Sequence, residues 1–216
     1  TGLMWLALDT ASDRASVAIG GPGGARAQDA IIGARRHAAR LVPTIEACLE
    51  RAGLGYAGLE GIVLADGPGS FTGLRVGATV ARALIRVRSM PFWVAPSVLV
   101  AAAGAGASPG ETVLSVSNAL RGEFFVAAYR FGGGTVETVL APTVLTPPQV
   151  LERVPAPFRL AGPAAGSFGG EPTWPEAVHL LALVGVAGGV RLVADPGRWQ
   201  PEYGRPAEAQ AKWERE

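Results

Sequence analysis

The sequence predicts an α/β protein of two lobes, each of which begins with a β-meander and continues with helices. Three short apolar segments near the N-terminus, separated by glycine-rich turns, have the pattern of a meander. A second run of three strand-like segments begins after residue 111, beyond a stretch of small residues at 105–109. We therefore expect an N-terminal lobe over residues 1–104 and a C-terminal lobe with an extended tail over residues 105–216.

The first half is predicted to follow the order three strands, helix, strand, helix, strand, helix. The predicted strands cover 3–8, 15–19, 27–32, 62–65 and 92–95, and the predicted helices cover 37–52, 72–88 and 98–103. Apolar residues recur at helical spacing over 37–52, and Gly53 is a suitable C-cap. Pro43 inside this pattern implies either a late helix start or a local kink.

The second half continues in the same order of elements, although no repeat of individual residues is detectable. The predicted strands cover 112–116, 123–131, 135–140 and 158–161, and the predicted helices cover 147–153 and 174–187. Three glycines at 132–134 predict a hairpin turn between the second and third of these strands. The tail over 195–216 is expected to pack over the surface as an extended arm that ends in a short helix.

Composition excludes several classes of protein. The 18 Arg are scattered singly or in pairs and the formal net charge is +1, so no nucleic-acid groove is predicted. Every apolar run is shorter than the roughly 18 residues of a membrane span. Cys48 is the single cysteine, which excludes an internal disulfide, and no signal-peptide pattern is present. We expect a cytoplasmic protein that does not enter a membrane.

The most constrained segment is Asp-Gly-Pro-Gly-Ser-Phe-Thr-Gly-Leu-Arg-Val-Gly at residues 66–77, between a predicted strand and a predicted helix. Glycines permit φ > 0 or a close approach by another group, and Pro68 stiffens the turn. Ser70 or Thr72 is a natural N-cap, and free amides at such a terminus can bind an anion. Residue types alone leave two interpretations open, a phosphate cradle and a tight strand-to-helix turn.

Small residues form a second pattern in the helix that follows this turn. Gly73, Gly77 and Ala81 recur every four residues, with Ala78 beside them. Such a stripe would allow a helix of another protein to approach closely. The alternative is that the stripe packs inside the lobe, against Val63 or Leu41.

Taken together, several strings resemble the TsaB (YeaZ) family over nearly the whole chain. They are Leu6-Ala7-Leu8-Asp9-Thr10-Ala11-Ser12, Ser16-Val17-Ala18, His37 with Leu41-Val42-Pro43, the string from Gly67 to Gly77, Ala95-Pro96-Ser97, Arg121-Gly122-Glu123 and Pro201-Glu202-Tyr203-Gly204-Arg205. The resemblance implies two ribonuclease-H-like lobes of the actin, Hsp70 and sugar-kinase (ASKHA) superfamily. Two departures remove charge: Ala39 stands where the family has an acidic residue, and Asn118-Ala119-Leu120 replaces Asp-Ala-Arg.

This resemblance also implies a function. Family members help to form threonylcarbamoyladenosine at position 37 of tRNAs that read codons beginning with A. The chain is expected to be a scaffold that binds and activates the TsaD transferase, with the ATPase TsaE assisting turnover. It is expected to form a homodimer through the same face when TsaD is absent, and to contact tRNA only indirectly. The residues predicted to bind the partner are His37, Arg40, Leu41, Thr44, Gly73, Arg75, Gly77, Ala78 and Ala81.

No catalytic residue, metal or cofactor is predicted. The resembling TsaD enzymes hold a metal through a pair of histidines, but the matching stretch over 94–101 contains none. His37, His179 and Cys48 lie at no ligand-like spacing from one another. Ser70 and Ser97 have no neighbouring base and acid, so a peptidase acting on TsaD lacks both a nucleophile and a metal set.

Asp9 has two possible roles. In the wider superfamily an aspartate at the end of the first strand helps to place the metal and phosphates of ATP. Asp9 would then belong to a weak nucleotide or anion site with four further residues, Thr10, Ser70, Thr72 and Gly73. The alternative is that Asp9 caps the turn between the first two strands. The first role leads to the alternative function, a free-standing ATP-dependent phosphotransferase.

Overall fold

Within residues 3–33, 36–154 and 156–204, which the computed structural model describes, the chain forms two β-sheets, five α-helices and two 3-10 turns. The strands are β1 (Trp5–Asp9), β2 (Arg14–Gly21), β3 (Gly24–Ile32), β4 (Gly61–Ala65), β5 (Phe92–Ala95), β6 (Thr112–Asn118), β7 (Phe124–Phe131), β8 (Val136–Leu145), β9 (Arg159–Ala161) and β10 (Arg191–Leu192). The helices are α1 (His37–Arg51), α2 (Phe71–Arg88), α3 (Ser97–Ala103), α4 (Pro147–Arg153) and α5 (Ala177–Leu183). None of these helices combines the length and the apolar character needed to cross a membrane.

The first sheet has the strand order β10-β5-β4-β1-β2-β3. Strands β1, β2 and β3 form an antiparallel meander, and β1, β4 and β5 are parallel to one another. Leu6 and Leu8 of β1 pack on one face against Leu41 and Ile45 of α1. Ala7, on the opposite face, belongs to a second cluster with residues of α3 and α5. Helices therefore cover both faces, which explains why β1 and β4 are buried along their whole length.

The second sheet has the order β8-β7-β6-β9. One of its faces, which carries Val113 and Tyr129, shares a core cluster with α3, α5 and the first sheet. The other face carries Leu114 and Val126 and packs against Val150 of α4. Because α3 contacts β6 and β7 while α5 contacts β1 to β4, these two helices lie between the sheets.

The predicted α/β order of two meanders with intervening helices is confirmed. Pro43 lies inside α1, so the helix begins at His37 and not late. The helix predicted over 174–187 was too long: α5 ends at Leu183 because Val184 is extended, and Gly185 takes a φ of +83°. The two-residue strand β10 was not predicted, because no pattern in the sequence indicates a strand there.

The boundary between the two lobes stays a prediction. The structure shows, however, that elements of the second half pack on the first sheet. The first sheet's strands end at Ala95 and the second sheet begins at Thr112, on either side of the predicted boundary. However, α5 packs on the first sheet, and β10 pairs with β5. Two elements of the second half, α5 and β10, therefore also contribute to the packing of the first sheet.

A C-terminal arm, residues 191–204, runs along the edge of the first sheet and over α2. Trp199 is buried, and its ring meets that of Phe92 edge-on with 4.9 Å between centroids. The Arg82 guanidinium lies 5.5 Å from the centre of the Trp199 ring and donates to the Trp199 carbonyl oxygen. Residues 195–204 of the predicted tail thus lie against the first sheet and α2, and the short helix expected at its end lies outside the described residues.

Trp199→Ala tests whether the arm belongs to the core of the first lobe. We expect the free energy of unfolding to fall by about 3 kcal/mol, because a large buried ring is lost and a cavity is left beside Phe92. Urea unfolding followed by circular dichroism measures this change. Val87→Ala, at a side chain that is 81% exposed, is the control and should change stability by less than about 0.5 kcal/mol. A loss below about 1 kcal/mol in Trp199→Ala would show that the arm only rests on the surface.

Candidate functional site

The glycine-rich turn between β4 and α2 lies against the loop that follows β1. Ser70 donates its backbone N–H to the carbonyl oxygen of Ala11 at 2.7 Å. Its hydroxyl oxygen accepts from the N–H of Gly73 at 3.2 Å, so Ser70 is the N-cap of α2. This is one of the two caps that the sequence predicts, and Thr72 is instead an exposed residue of the first turn.

The loop after β1 can touch the turn and α2 because the residues at the contact are glycines, which have no side chain. A Cβ atom on Gly69 would overlap the carbonyl oxygen of Ala11. On Gly73 it would overlap the carbonyl oxygen of Thr10, and on Gly77 the hydroxyl oxygen of Thr10. The glycines are therefore required by close packing inside the lobe.

The other side of the turn contacts α3 and the C-terminal arm. Gly67 donates its N–H to the Ser97 hydroxyl at 3.1 Å and accepts the Ser97 N–H at 2.7 Å. Gly67 has a φ of +115°, and a Cβ atom there would overlap the carbonyl oxygen of Glu202. The Glu202 N–H in turn donates to the carbonyl oxygen of Asp66 at 2.7 Å. Three distant parts of the chain thus meet at this turn.

These contacts favour the interpretation of a tight turn over that of a phosphate cradle. The amides of Ser70 and Gly73, which would bind an anion, already donate within the protein. Thr10 and Gly73 are brought together, but as a packing contact with no space between them. Anion binding at Ser70, Thr72 and Gly73 stays a prediction.

Asp9, at the end of β1, is completely buried. Its Oδ1 accepts the N–H of Ala11 at 3.0 Å, as the turn-cap alternative predicts. Among the described residues, no group hydrogen-bonds to its Oδ2. Burial raises the pKa of Asp9 to about 8, against the lowering effect of the Ala11 hydrogen bond, and nearby Glu176 raises it further. The carboxyl group is therefore mainly protonated at neutral pH.

The start of α5 covers this part of the first sheet. Ser16, which pairs with Asp9 across β1 and β2, accepts the Ala177 N–H on its hydroxyl at 2.8 Å. Arg14 forms an ion pair with Glu176 at 3.0 Å. A carboxylate that binds Mg²⁺ or helps to place phosphates must be ionised and accessible. Asp9 is neither in this structure.

Asp66 is a buried acid that the sequence analysis did not single out. Burial raises its pKa to about 6, and the Arg191 guanidinium, whose Nη2 lies 3.3 Å from Oδ2, opposes that rise. Asp66 opens the glycine-rich string, but its partner lies 125 residues further along the chain. Because the two residues are so far apart in the sequence, no local pattern predicts that they pair. The described residues contain no group of three His, Cys, Asp or Glu side chains arranged to hold a metal ion.

Most residues predicted to bind the partner are inside the lobe. The buried members of that set are His37, Leu41, Thr44, Gly73, Gly77, Ala78 and Ala81. Arg40 and Arg75 are exposed. Of the two interpretations of the stripe of Gly73, Gly77 and Ala81, the structure favours packing inside the lobe, because these residues lie against the loop after β1 and the first sheet. Partner binding by these helices stays a prediction.

A different set of residues forms the exposed apolar surface of the two helices. This apolar stripe consists of Val42 on α1 with Val76, Val80, Leu84 and Val87 on α2. Val42 is 42% exposed and Val87 is 81% exposed, while the other three are partly buried against the core. The spacing of Val76, Val80 and Leu84 at every fourth residue was a sequence signal that the analysis missed.

Gly77→Ala should be destabilising by about 1–3 kcal/mol, because the new methyl group meets the Thr10 hydroxyl. Thr10→Ala removes that hydroxyl and should recover part of the loss when the two changes are combined. Gly73→Ala is the control for this double-mutant cycle, because its methyl group meets the Thr10 carbonyl, which Thr10→Ala retains. Urea unfolding of the five variants measures both couplings. Additive effects of Gly77→Ala and Thr10→Ala would contradict the contact.

Asp9→Asn tests the buried carboxyl through the pH dependence of stability. Between the ordinary pKa of 3.8 and about 8, native Asp9 is protonated while the unfolded chain is ionised. The unfolded state then binds fewer protons, so wild-type stability should fall relative to Asp9→Asn as pH rises through this range. The fall should reach up to about 1.4 kcal/mol per pH unit and stop above the native pKa. Urea unfolding at about pH 5, 7 and 9 measures it, and parallel curves would contradict the assignment.

Comparisons with known proteins connect this geometry to a family. The family model described as TsaD, tRNA N6-adenosine threonylcarbamoyltransferase, matches residues 31–168. The tRNA threonylcarbamoyladenosine biosynthesis protein TsaB of Escherichia coli is 31% identical over 65% of this chain and 63% of its own length. An uncharacterized protein of Mycobacterium tuberculosis is 33% identical over 83% of both chains. The chain thus spans less than two thirds of the length of the E. coli relative.

Solved structures extend the likeness to almost the whole chain. YeaZ from Pseudomonas aeruginosa superposes with a TM-score of 0.78 at 26% identity, over 94% of this chain and 100% of that one. A protein described as uncharacterized, with similarity to peptidase YeaZ from P. aeruginosa, gives a TM-score of 0.80 at 28% identity over the same shares. The chain therefore belongs to the TsaB (YeaZ) family, and its fold is the two-lobed, ribonuclease-H-like α/β fold of the ASKHA superfamily.

Proposed function

We propose that this protein is a non-catalytic subunit in the formation of threonylcarbamoyladenosine at adenosine 37 of tRNAs, and that it acts by binding the TsaD transferase. The relatives named TsaB support a place in this biosynthesis. The observation that carries the proposed mode of action is the exposed apolar stripe on α1 and α2. We expect the assembly in the cytoplasm, where its tRNA substrates are, and TsaE to assist its turnover.

The burial of Asp9 supports a role without catalysis. An ATP-dependent phosphotransferase of this superfamily needs an ionised carboxylate at the end of β1 to place metal and phosphates. Here the Asp9 carboxyl group is covered by the start of α5 and carries a proton at neutral pH. The alternative function would require α5 to leave the first sheet, which would break the hydrogen bond from Ala177 to Ser16 and expose buried leucines of α5.

The apolar stripe fits a partner that presents helices. α1 and α2 lie side by side, and Val42, Val80 and Val87 leave apolar area in water that only another apolar surface would cover. A pair of helices from TsaD would complete a four-helix bundle by ridge-into-groove packing. A second copy of this chain presents the same pair of helices, so we expect a homodimer through this face when TsaD is absent.

Val42→Glu combined with Val87→Glu tests this docking surface. Both side chains are exposed, so the variant should fold normally, while two buried charges should lower affinity for TsaD by at least a hundredfold. Size-exclusion co-elution and calorimetry with purified TsaD measure the effect. Val139→Glu combined with Leu151→Glu introduces the same two charges on exposed apolar residues of β8 and α4 and is the matched control. Unchanged affinity in the first variant, or an equal loss in both, would refute the proposed surface.

A further inference from the structure

One flank of α2 forms a basic surface that the proposed docking leaves uncovered. The 18 residues of α2 include four Arg and neither Asp nor Glu. Arg75, Arg82 and Arg86 are separated by seven and four residues, so they share one side of the helix. That side is turned by roughly 120° about the helix axis from Val76, Val80 and Val87. A partner seated on the apolar stripe would therefore leave Arg75 and Arg86 in solvent, while Arg82 is half-buried against Trp199.

The C-terminal arm adds aromatic and basic groups to this flank. Phe71, at the first turn of α2, is 44% exposed, and its ring lies 4.7 Å from that of Tyr203. The Arg75 guanidinium lies 5.4 Å from the centre of the Phe71 ring. Arg198, whose side chain is 92% exposed and lies 3.7 Å from the Asp195 carboxylate, precedes Trp199, whose ring contacts Arg82. The arginine-aromatic surface comprises Phe71, Arg75, Arg82, Arg86, Arg198 and Tyr203.

We propose that the arginine-aromatic surface binds single-stranded RNA, with phosphates on the arginines and an unstacked base on the Phe71–Tyr203 pair. Loop RNA is recognised by stacking on aromatic rings and arginine planes, and guanidinium groups match phosphate oxygens. The three arginines of α2 span roughly 16 Å along the axis, enough for several nucleotides. An acidic protein would pair with the arginines but would leave the contact of the exposed Phe71 ring with the half-buried Tyr203 ring unexplained.

This inference rests on the proposed function, which places a tRNA in the same assembly, and it differs from the expectation that tRNA is contacted only indirectly. No basic groove was predicted because the arginines stand singly or in pairs along the sequence. Arg75, Arg82 and Arg86 are distant in sequence by a full turn or more, and the helix brings them to one side. Arg198 joins them only because the arm returns to α2.

The test compares two double variants with the same change in net charge, using the full-length chain and a fluorescein-labelled anticodon stem–loop RNA. Arg75→Gln combined with Arg86→Gln removes two exposed arginines of the proposed surface. Arg26→Gln combined with Arg153→Gln removes two exposed arginines elsewhere, on β3 and α4. Fluorescence anisotropy should show on the order of tenfold weaker binding for the first variant and little change for the second. The slope of log affinity against log salt should fall by about 1.4 in the first variant only.

Tyr203 separates stacking from charge. Tyr203→Leu should weaken binding by on the order of tenfold, whereas Tyr203→Phe, which keeps the ring, should bind as the wild type does. A fully base-paired RNA duplex without a loop should bind more weakly than the stem–loop, because its bases cannot reach the rings.

Three results would overturn the inference. The first is that both double variants weaken RNA binding equally. The second is that the wild-type chain binds the stem–loop no better than an unrelated neutral protein does. The third is that Arg75→Gln with Arg86→Gln loses TsaD co-elution but keeps RNA binding. The last result would mark the flank as a protein-binding surface. TsaD co-elution is measured separately for every variant, so failure of the docking proposal is distinguishable from failure of RNA binding.

Discussion

The contact between the loop after β1 and the glycine-lined side of α2 is the constraint on which the rest of the structure depends. Thr10 touches two successive turns of α2, its carbonyl at Gly73 and its hydroxyl at Gly77. Ala11 accepts the amide of the N-cap residue Ser70. Because the helix can approach only where a Cβ is absent, this contact sets the distance of α2 from the first sheet. The position of α2 then determines where the C-terminal arm can pack, since Trp199 lies under Arg82.

The two residues that end β1 and begin the loop have different surroundings. Thr10 packs against α2, whereas Asp9 lies near Glu176 at the start of α5. The second half of the chain supplies α5, and it covers Asp9 through the Ser16 hydrogen bond and the Arg14–Glu176 ion pair. A residue that would contact phosphates in an open cleft is thereby enclosed in a protein core. The position of α5 therefore keeps the Asp9 carboxyl group away from solvent in this structure.

Local patterns predicted much of the fold, and long-range contacts account for most of what was missed. The meanders, α1 and the turn before α2 follow from apolar spacing and glycine position. The small-residue stripe had two physically equivalent interpretations, because Gly73 and Gly77 allow close approach by either a partner helix or the protein's own loop. Only the location of Thr10 decides between them. The Arg191–Asp66 pair and β10 depend on the return of the chain to the first sheet, which no local pattern specifies.

Three kinds of residue lie on different sides of α2: small buried residues, apolar residues and arginines. No single role of the helix explains all three. The small buried residues lie on the arc of the helix that contacts the loop after β1 and the first sheet. Val76, Val80 and Val87 occupy a second arc, and Arg75, Arg82 and Arg86 occupy a third, where Arg82 contacts the C-terminal arm. Val87 is 81% exposed and extends the second arc beyond the half-buried Val76 and Val80. A helix that only bound one partner would not separate its apolar and basic residues by a third of a turn. The arrangement is therefore that of a helix positioned by its glycines so that two different surfaces remain accessible.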